Sequence, residues 1–189
     1  MSSKPAVHRR PRLPVATERL CLREFVAADL PAYRALVLDP RVAKHLPHAP
    51  ADEAAADRQF ARNFSMQQRQ RRQSWELAAL HEGELVGAGD LTLTEPGMMN
   101  LGYAIARRHW GHGYATEFAR ALARIAFVDL AAPRLYATIS VDNTRSMAVA
   151  EKLGLRWEAT MRGRVKSRGR SWDMHLYVIE REDWLAQRL

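Results

Sequence analysis

Residues 107 to 117, RRHWGHGYATE, place two histidines, two glycines and a tryptophan just ahead of a helix-like run ending in Arg124-Ile125-Ala126-Phe127. Three chemistries compete for such a loop: a metal site, an acid–base histidine pair and a cradle for phosphate. His109 and His112 are three apart, but no carboxylate, cysteine or third histidine sits nearby at a ligand spacing, so zinc would need distant partners. Nothing beside either ring fixes its tautomer, which weakens the acid–base pair. Gly111 and Gly113, by contrast, let backbone approach a ligand closely, and a helix beginning near Tyr114 aims unsatisfied N–H groups at it. Arg108 would add a fixed positive charge and a planar array of donors. The set suits pyrophosphate, although two glycines before a helix also make an ordinary strand-to-helix turn.

The elements that must hold this loop are legible in the periodicity. Glu18 to Phe25 alternates polar and apolar residues as a half-buried strand does, and Ala27-Ala28-Asp29-Leu30-Pro31 offers an N-cap with proline at the first helical position. That helix runs through Tyr33, Leu36 and Val37 to an Asp39-Pro40 stop, and a charged second helix is expected from about Ala51 to Arg72. Strands at 75–80 and 84–93 flank the turn His81-Glu82-Gly83, and Glu95-Pro96-Gly97 turns the chain into a strand at 99–105. After the loop come a helix from about Tyr114 to Leu130, a β-rich strand at 134–141, a cap at Asp142-Asn143-Thr144 and a helix from Arg145 to Leu153 stopped by Gly154. Strands at about 155–166 and 171–179 and a short helix at 182–187 close the chain. The pattern predicts an α+β fold: a mixed, mostly antiparallel sheet of about seven strands flanked by helices, as one domain over 15–189 after a flexible basic arm at 1–14.

Composition narrows the function classes without choosing among them. Of 189 residues, 47% are hydrophobic, which excludes a disordered chain, and the net charge of +8 suits an anionic ligand, an acidic substrate or a nucleic-acid surface. Cys21 is the only cysteine, so no intrachain disulfide forms and a reducing cytoplasm fits. The first residues, MSSKPAVHRRPRLP, lack the apolar stretch of a signal peptide, and no run is long enough to span a membrane. A nucleic-acid-binding role is the alternative for that arm.

Arg108-His109-Trp110-Gly111-His112-Gly113 resembles the R/Q-x-x-G-x-G/A loop of the GNAT superfamily of acetyl-CoA-dependent N-acetyltransferases, and Trp110-Gly111-x-Gly113-Tyr114-Ala115-Thr116-Glu117 resembles its RimJ/RimL-type branch. Thr17-Glu18-Arg19-Leu20-x-Leu22-Arg23 is similar to that branch's opening strand, and Asn143-x-x-Ser146-x-x-Val149-x-Glu151-Lys152-Leu153-Gly154-Leu155 to its second conserved helix. The surroundings of Trp172 and Asp173 are similar to its closing strands, so the likeness covers roughly residues 17 to 184.

The resemblance implies a sheet splayed between the strands at 99–105 and 134–141, with the pantetheine of acetyl-CoA paired to the backbone of Tyr103, Ala104 and Ile105. Pyrophosphate would rest on the loop from Gly111 through His112, Gly113, Tyr114 and Ala115, with Arg108 and Thr116 beside it. Transfer would be direct, without an acyl-enzyme, and a backbone N–H near Ile105 would steady the oxyanion. Ser146 is the expected proton donor to the thiolate, against the alternative that it only bonds its own helix; Asn143 would hold pantetheine or a water as well as cap. No metal is implied. Many relatives carry a glutamate on the strand before the loop, but Gly97-Met98-Met99-Asn100 has no carboxylate; Asp90 is the candidate base, with Glu76, His109 and His175, as titratable residues on central strands or beside the loop, against the alternatives that Asp90 is a solvated strand residue and that a water chain serves instead.

The implied acceptor is a primary amine, foremost a peptide or protein N-terminal α-amine of the ribosomal-protein type. Polyamines, amino acids and aminoglycosides are alternatives, as is a GNAT-like module that holds CoA or RNA without turnover. Arg162, Arg164, Lys166, Arg168 and Arg170 recur every second residue, a face for ribosomal RNA or an acidic protein, or else a solvated edge whose charges block strand pairing. The chain is expected to act as a monomer or homodimer, away from membranes.

Overall fold

The computed structural model describes residues 10–94, 97–167 and 169–187. Its strands are β1 (Val15–Ala16), β2 (Cys21–Glu24), β3 (Ser74–His81), β4 (Glu84–Leu93), β5 (Met98–Ile105), β6 (Arg134–Ser140), β7 (Arg156–Ser167) and β8 (Arg170–Glu180). The helices are α1 (Leu30–Leu38), α2 (Pro40–Ala43), α3 (Glu53–Met66), α4 (Tyr114–Arg124), α5 (Thr144–Lys152) and α6 (Arg181–Ala186). All eight strands form one sheet in the order β1-β2-β3-β4-β5-β6-β8-β7, and every pair is antiparallel except β5 with β6. The expected α+β architecture is present, with one more strand than the pattern suggested. Thr17 N–H bonds Leu20 O at 2.8 Å, and this tight turn folds Val15 and Ala16 back onto Leu22 and Cys21.

Local chemistry explains the boundaries. Glu82 and Gly83 both take positive φ, the twist that a two-residue turn between β3 and β4 requires. Asp39-Pro40 ends α1, yet the same pair starts α2: Asp39 accepts from Arg41 N–H at 2.7 Å, and Pro40 sits at the first helical position. Asp52 likewise caps α3, which ends at Met66, short of the expected Arg72. The long helix expected to reach Leu130 is α-helical only to Arg124 and then widens into a π turn over Ile125–Asp129. Of the expected arm, residues 1–9 lie outside the described residues. The remainder rests on the body: Pro11 is buried, Leu13 packs on the core and Arg12 N–H reaches Asp129 Oδ2 at 3.3 Å.

Each sheet face carries its own core. On one, Leu77, Leu91 and Leu135 meet Phe118, Leu122 and Phe127. On the other, Ala78 and Leu80 meet Phe25 just after β2, Tyr33 of α1 and Phe60 of α3. Burying each large side chain contributes about 1.5–3 kcal/mol, so the two layers hold the sheet from both sides. No helix among the described residues is long and apolar enough to cross a membrane.

The feature that prepares a site is a fork. β5 and β6 pair only at Met98–Arg134, Met99–Leu135 and Asn100–Tyr136. Beyond them, Ala137 to Ser140 pair with β8 alone, and the edge of β5 from Leu101 to Ile105 stands open.

Candidate active site

The loop after β5 is shaped by its own residues. Trp110 folds back so that its indole N–H donates to Ile105 O at 2.7 Å. Gly111 and Gly113 take φ of +85° and +82°, where a Cβ would be strained, and α4 then begins at Tyr114 with its first amides unpaired along the helix. A clamp from the chain's opening motif secures the turn. Glu117 accepts from Thr17 Oγ1 at 2.6 Å, from Arg19 N–H at 2.8 Å and from Arg19 Nε at 2.8 Å, while Arg19 Nη1 donates to His112 O at 2.8 Å. Burial alone would raise the Glu117 carboxyl; these hydrogen bonds outweigh it and hold the group below the usual carboxylate range.

A cleft of about 450 Å³ opens between this loop, β5, α2 and α5. Tyr103, Ala104, Ile105, Gly111, Gly113, Tyr114, Ala115, Asn143 and Ser146, all expected at the site, line it. Three of the residues expected to hold the cofactor are elsewhere. Arg108 turns away to Glu84, donating from Nε at 3.0 Å, because that carboxylate at the start of β4 is its nearest countercharge. His112 stacks on the Tyr114 ring at 5.8 Å, with Nδ1 3.1 Å from Trp110 O. Thr116 faces a separate groove with Arg12, Arg120 and Arg124, and its N–H is spent on Gly113 O.

The positive charge expected of Arg108 comes instead from Arg107 and Arg145, which both line the cleft and both lie 4.9 Å from the centre of the Trp110 ring. The adjacent-arginine motif was readable in sequence; which arginine faces inward depended on Glu84, a contact between distant residues. Val42, His45 and Leu46 complete the lining from α2 and the turn after it, a stretch where periodicity gave no signal.

A smaller crevice of about 110 Å³ continues along the fork, bounded by Leu101, Gly102 and Tyr103 on one side and Ala137 to Ser140 on the other. His45, Leu46, Tyr103, Asn143, Ser146 and Val149 line both spaces. Burial lowers the His45 pKa, and Lys44, Arg145 and Arg170 act in the same direction against Asp142. Ser146 sits in the first turn of α5, with Tyr103 Oη 3.2 Å from its Oγ and Asn143 Nδ2 donating to Oγ at 3.2 Å. Asn143 Oδ1 also accepts from Ser146 N–H at 3.2 Å, so this asparagine caps the helix and faces the cleft at once. Burial raises the Tyr103 hydroxyl above its ordinary pKa, which keeps it a donor.

The candidate bases separate. His175 is engaged on the closing hairpin, with Nδ1 2.9 Å from Thr160 Oγ1. His109 lines the cleft and is lowered first by burial and then by Arg108, which favours its neutral form. Asp90 is not in the cleft lining: it lies on the α1/α3 face of the sheet, across from Gly102 on β5 and from Glu76 on β3. Burial raises both carboxyls, and the charge of Asp90 adds to the push on Glu76, which is taken up to about 8. No cluster of three or more metal-ligating side chains exists among the described residues. In the expected basic row, Arg162, Arg164 and Lys166 are exposed on β7, Arg170 packs 3.3 Å over Trp172, and Arg168 lies outside the described residues.

The cradle of bare backbone, the two arginines, the open strand edge and the half-buried hydroxyl pair together fit a phosphate-bearing ligand with an extended amide arm ending at Ser146. Comparisons with known proteins identify the family. The family described as Acetyltransferase (GNAT) domain matches residues 19–156. An uncharacterized N-acetyltransferase, p20, of Bacillus licheniformis is 26% identical over 173 residues, 89% of this chain and 96% of that one. A GNAT-family acetyltransferase crystal structure from Bacillus anthracis superposes with a TM-score of 0.78 at 25% identity, over 89% of this chain and 98% of the other. The fold is shared with RimL, a ribosomal α-N-protein acetyltransferase in complex with coenzyme A (TM-score 0.76, 20% identity, 88% and 97% covered). It is shared equally with the Vibrio cholerae spermidine N-acetyltransferase in complex with CoA and spermine (TM-score 0.76, 16% identity, 89% and 99% covered).

Proposed function

Since this chain belongs to the GNAT acetyltransferase family and is therefore an acyltransferase that uses acetyl-CoA, we propose that its acceptor is the α-amine of a peptide or protein N-terminus. RimL and the spermidine enzyme share the fold, so the fold does not choose between protein and polyamine acceptors. The observation that favours a peptide is the charge at the site. Arg107 and Arg145 line the cleft, and Lys44 and Arg170 act on His45, which lines both the cleft and the crevice. This cationic surround opposes a polyamine, which brings several positive charges, more than a peptide, which brings one together with backbone carbonyls. A cytoplasmic location belongs to the same proposal and rests on the co-substrate and the lone cysteine. Contact with the ribosome or RNA through Arg162, Arg164 and Lys166 is a further part of it.

Acetyl-CoA, when bound, supplies a thioester carbonyl that a neutral amine can attack. The chain's own residues then have separate tasks. Gly111, Gly113, Tyr114 and Ala115 present backbone and the α4 N-terminus to the phosphates, with Arg107 and Arg145 adding charge. The open edge from Tyr103 to Ile105 pairs with the amide arm, and a backbone N–H there faces the developing oxyanion. Ser146 donates a proton toward the departing sulfur, and Tyr103 orients and replenishes that hydroxyl. His112 and Arg108 shape the loop through Tyr114 and Glu84 rather than through a side-chain contact with the ligand.

The test is a mass-spectrometric screen with acetyl-CoA across peptides differing in their first residues, alongside spermidine, amino acids and an aminoglycoside. A mass gain of one acetyl group on a peptide α-amine is the expected result. Acetylation of only a small amine would keep the enzyme class and overturn the acceptor.

A further inference from the structure

β5 carries no carboxylate, yet one from β4 lies over it. Glu76, Asp90 and Gly102 form a row across β3, β4 and β5, each opposite the next and all on the α1/α3 face. Gly102 lies two residues past the last β5–β6 pair, at Asn100–Tyr136, and it borders the crevice at the fork. Asp90 Oδ1 occupies the space that a side chain at 102 would fill, so the carboxylate leans over β5 toward the splayed gap. Its other oxygen, Oδ2, accepts from Thr92 Oγ1 at 3.0 Å, which fixes the lean. Thr92 Oγ1 is 3.0 Å from Ser74 Oγ, and Ser74 in turn donates to Glu76 Oε1 at 3.5 Å. Neither carboxylate has a salt-bridge partner among the described residues; Arg62 acts on Glu76 only at longer range, and Tyr33 from α1 is the other titratable group facing the pair.

Two half-buried carboxylates side by side without a cation are costly unless a proton or a positively charged ligand joins them. A structural role would be served more cheaply by the apolar residues that fill the rest of this face, such as Ala78 and Leu80. The glycine opposite Asp90 points the same way, because any side chain there would push the carboxylate off the edge.

We propose that Asp90, positioned by Glu76 and by the vacancy at Gly102, binds the acceptor's ammonium at the fork and serves as its base. This rests on the amine-acetyltransferase reading and supplies the base that β5 lacks. Asp90 takes one proton from the ammonium. The freed nitrogen lone pair forms an N–C bond to the acetyl carbonyl carbon while the C–S bond breaks and its electron pair goes to sulfur. The second proton shed by nitrogen equals the one taken up by sulfur through Ser146, and the proton on Asp90 passes by way of Glu76 to solvent. Because burial raises both carboxyls, the pair ionises above the ordinary carboxylate range, so kcat/KM should rise with pH as it loses its proton.

The experiment compares wild type, Asp90→Asn, Glu76→Gln, Gly102→Ala and His45→Gln, each first shown to bind CoA with unchanged affinity by calorimetry. Rates are followed from pH 5 to 10 with a seryl tetrapeptide bearing a free α-amine and, separately, with spermidine. Binding of the unreacted tetrapeptide to the CoA complex is measured in parallel. Asp90→Asn should lower kcat/KM by on the order of 10²-fold and abolish the acid limb of the profile. Glu76→Gln should keep most of the rate at high pH but move that limb to lower pH, since removing a negative neighbour lets Asp90 ionise more easily. Gly102→Ala should resemble Asp90→Asn in rate. An Asp90→Asn enzyme with unaltered pH profile and peptide affinity, or loss of the acid limb in His45→Gln instead, overturns the proposal. Spermidine turnover without peptide turnover would overturn the acceptor reading alone, and the same variants then test the base with spermidine.

Discussion

The Tyr103 hydroxyl lies 3.2 Å from Ser146 Oγ, joining β5 to the first turn of α5 across the fork. Ser146→Ala is therefore expected to reduce kcat by roughly 10²-fold while leaving CoA affinity within a few fold, because the lost proton donation acts in the transition state. Tyr103→Phe should cost less, since Asn143 still holds the serine. Steady-state kinetics with matched calorimetry separates the two contributions.

The two loop glycines should behave differently. A Cβ at Gly111 would meet nothing within 4 Å, whereas one at Gly113 would stand 3.3 Å from Arg19 Nη2. Both alanine variants carry the strain of positive φ, about 1–2 kcal/mol, but only Gly113→Ala also crowds the clamp. Calorimetry should show weaker CoA binding for Gly113→Ala than for Gly111→Ala, and none for Gly113→Glu, which adds bulk and negative charge where the proposed binding puts phosphate.

Clamp and charge make separable predictions for the arginines. Arg107→Ala and Arg145→Ala should each weaken CoA about 5- to 50-fold and reduce the salt dependence of binding, as lost phosphate contacts do. Arg108→Ala should change affinity severalfold less, its guanidinium being held by Glu84. Equal losses at all three positions would refute the inward placement of Arg107.

Acid should loosen the loop through Glu117. Its carboxyl is lowered in the fold, so the stability it contributes is complete above the unfolded value near 4.3 and is lost as pH falls through the folded value. Melting temperatures of wild type should thus fall more steeply below about pH 4.5 than those of Glu117→Gln, which begins less stable but lacks this slope.

Gly89 tests the packing beneath the site. A Cβ there would fall 2.8 Å from Phe118 Cζ and 2.8 Å from Gly102 O. Gly89→Ala should destabilise by about 1–3 kcal/mol in denaturant titration, the usual cost of overpacking. Phe118→Ala should cost about 3–5 kcal/mol by leaving a cavity.

Much of this was legible beforehand because it is written locally. Alternation marks β3, β4 and β5, and Gly111 and Gly113 mark the loop, since few other residues tolerate that backbone. Asn143 and Gly154 bracket α5 by capping chemistry. What escaped was set by contacts between distant residues. Glu84 decided that Arg107 rather than Arg108 faces the cleft; Glu117 bound the opening motif to the loop; and His45 entered the site from a turn with no periodic signal. Asp90 was named as a candidate from its titratable side chain and central strand, but its lean over Gly102 depends on register across three strands, which a sequence does not display.

The three-pair seam between β5 and β6 has a mechanical meaning. It leaves β1 to β5 and β6 to β8 as two leaves of one sheet, hinged at Asn100–Tyr136 and unzipped beyond it. A ligand bound along the edge of β5, as proposed, would supply the missing rungs, so the reactant would also serve temporarily as part of the scaffold. Releasing the spent carrier would then break backbone ladder bonds as well as side-chain contacts, which would couple the turnover of the enzyme to the loosening of its own sheet.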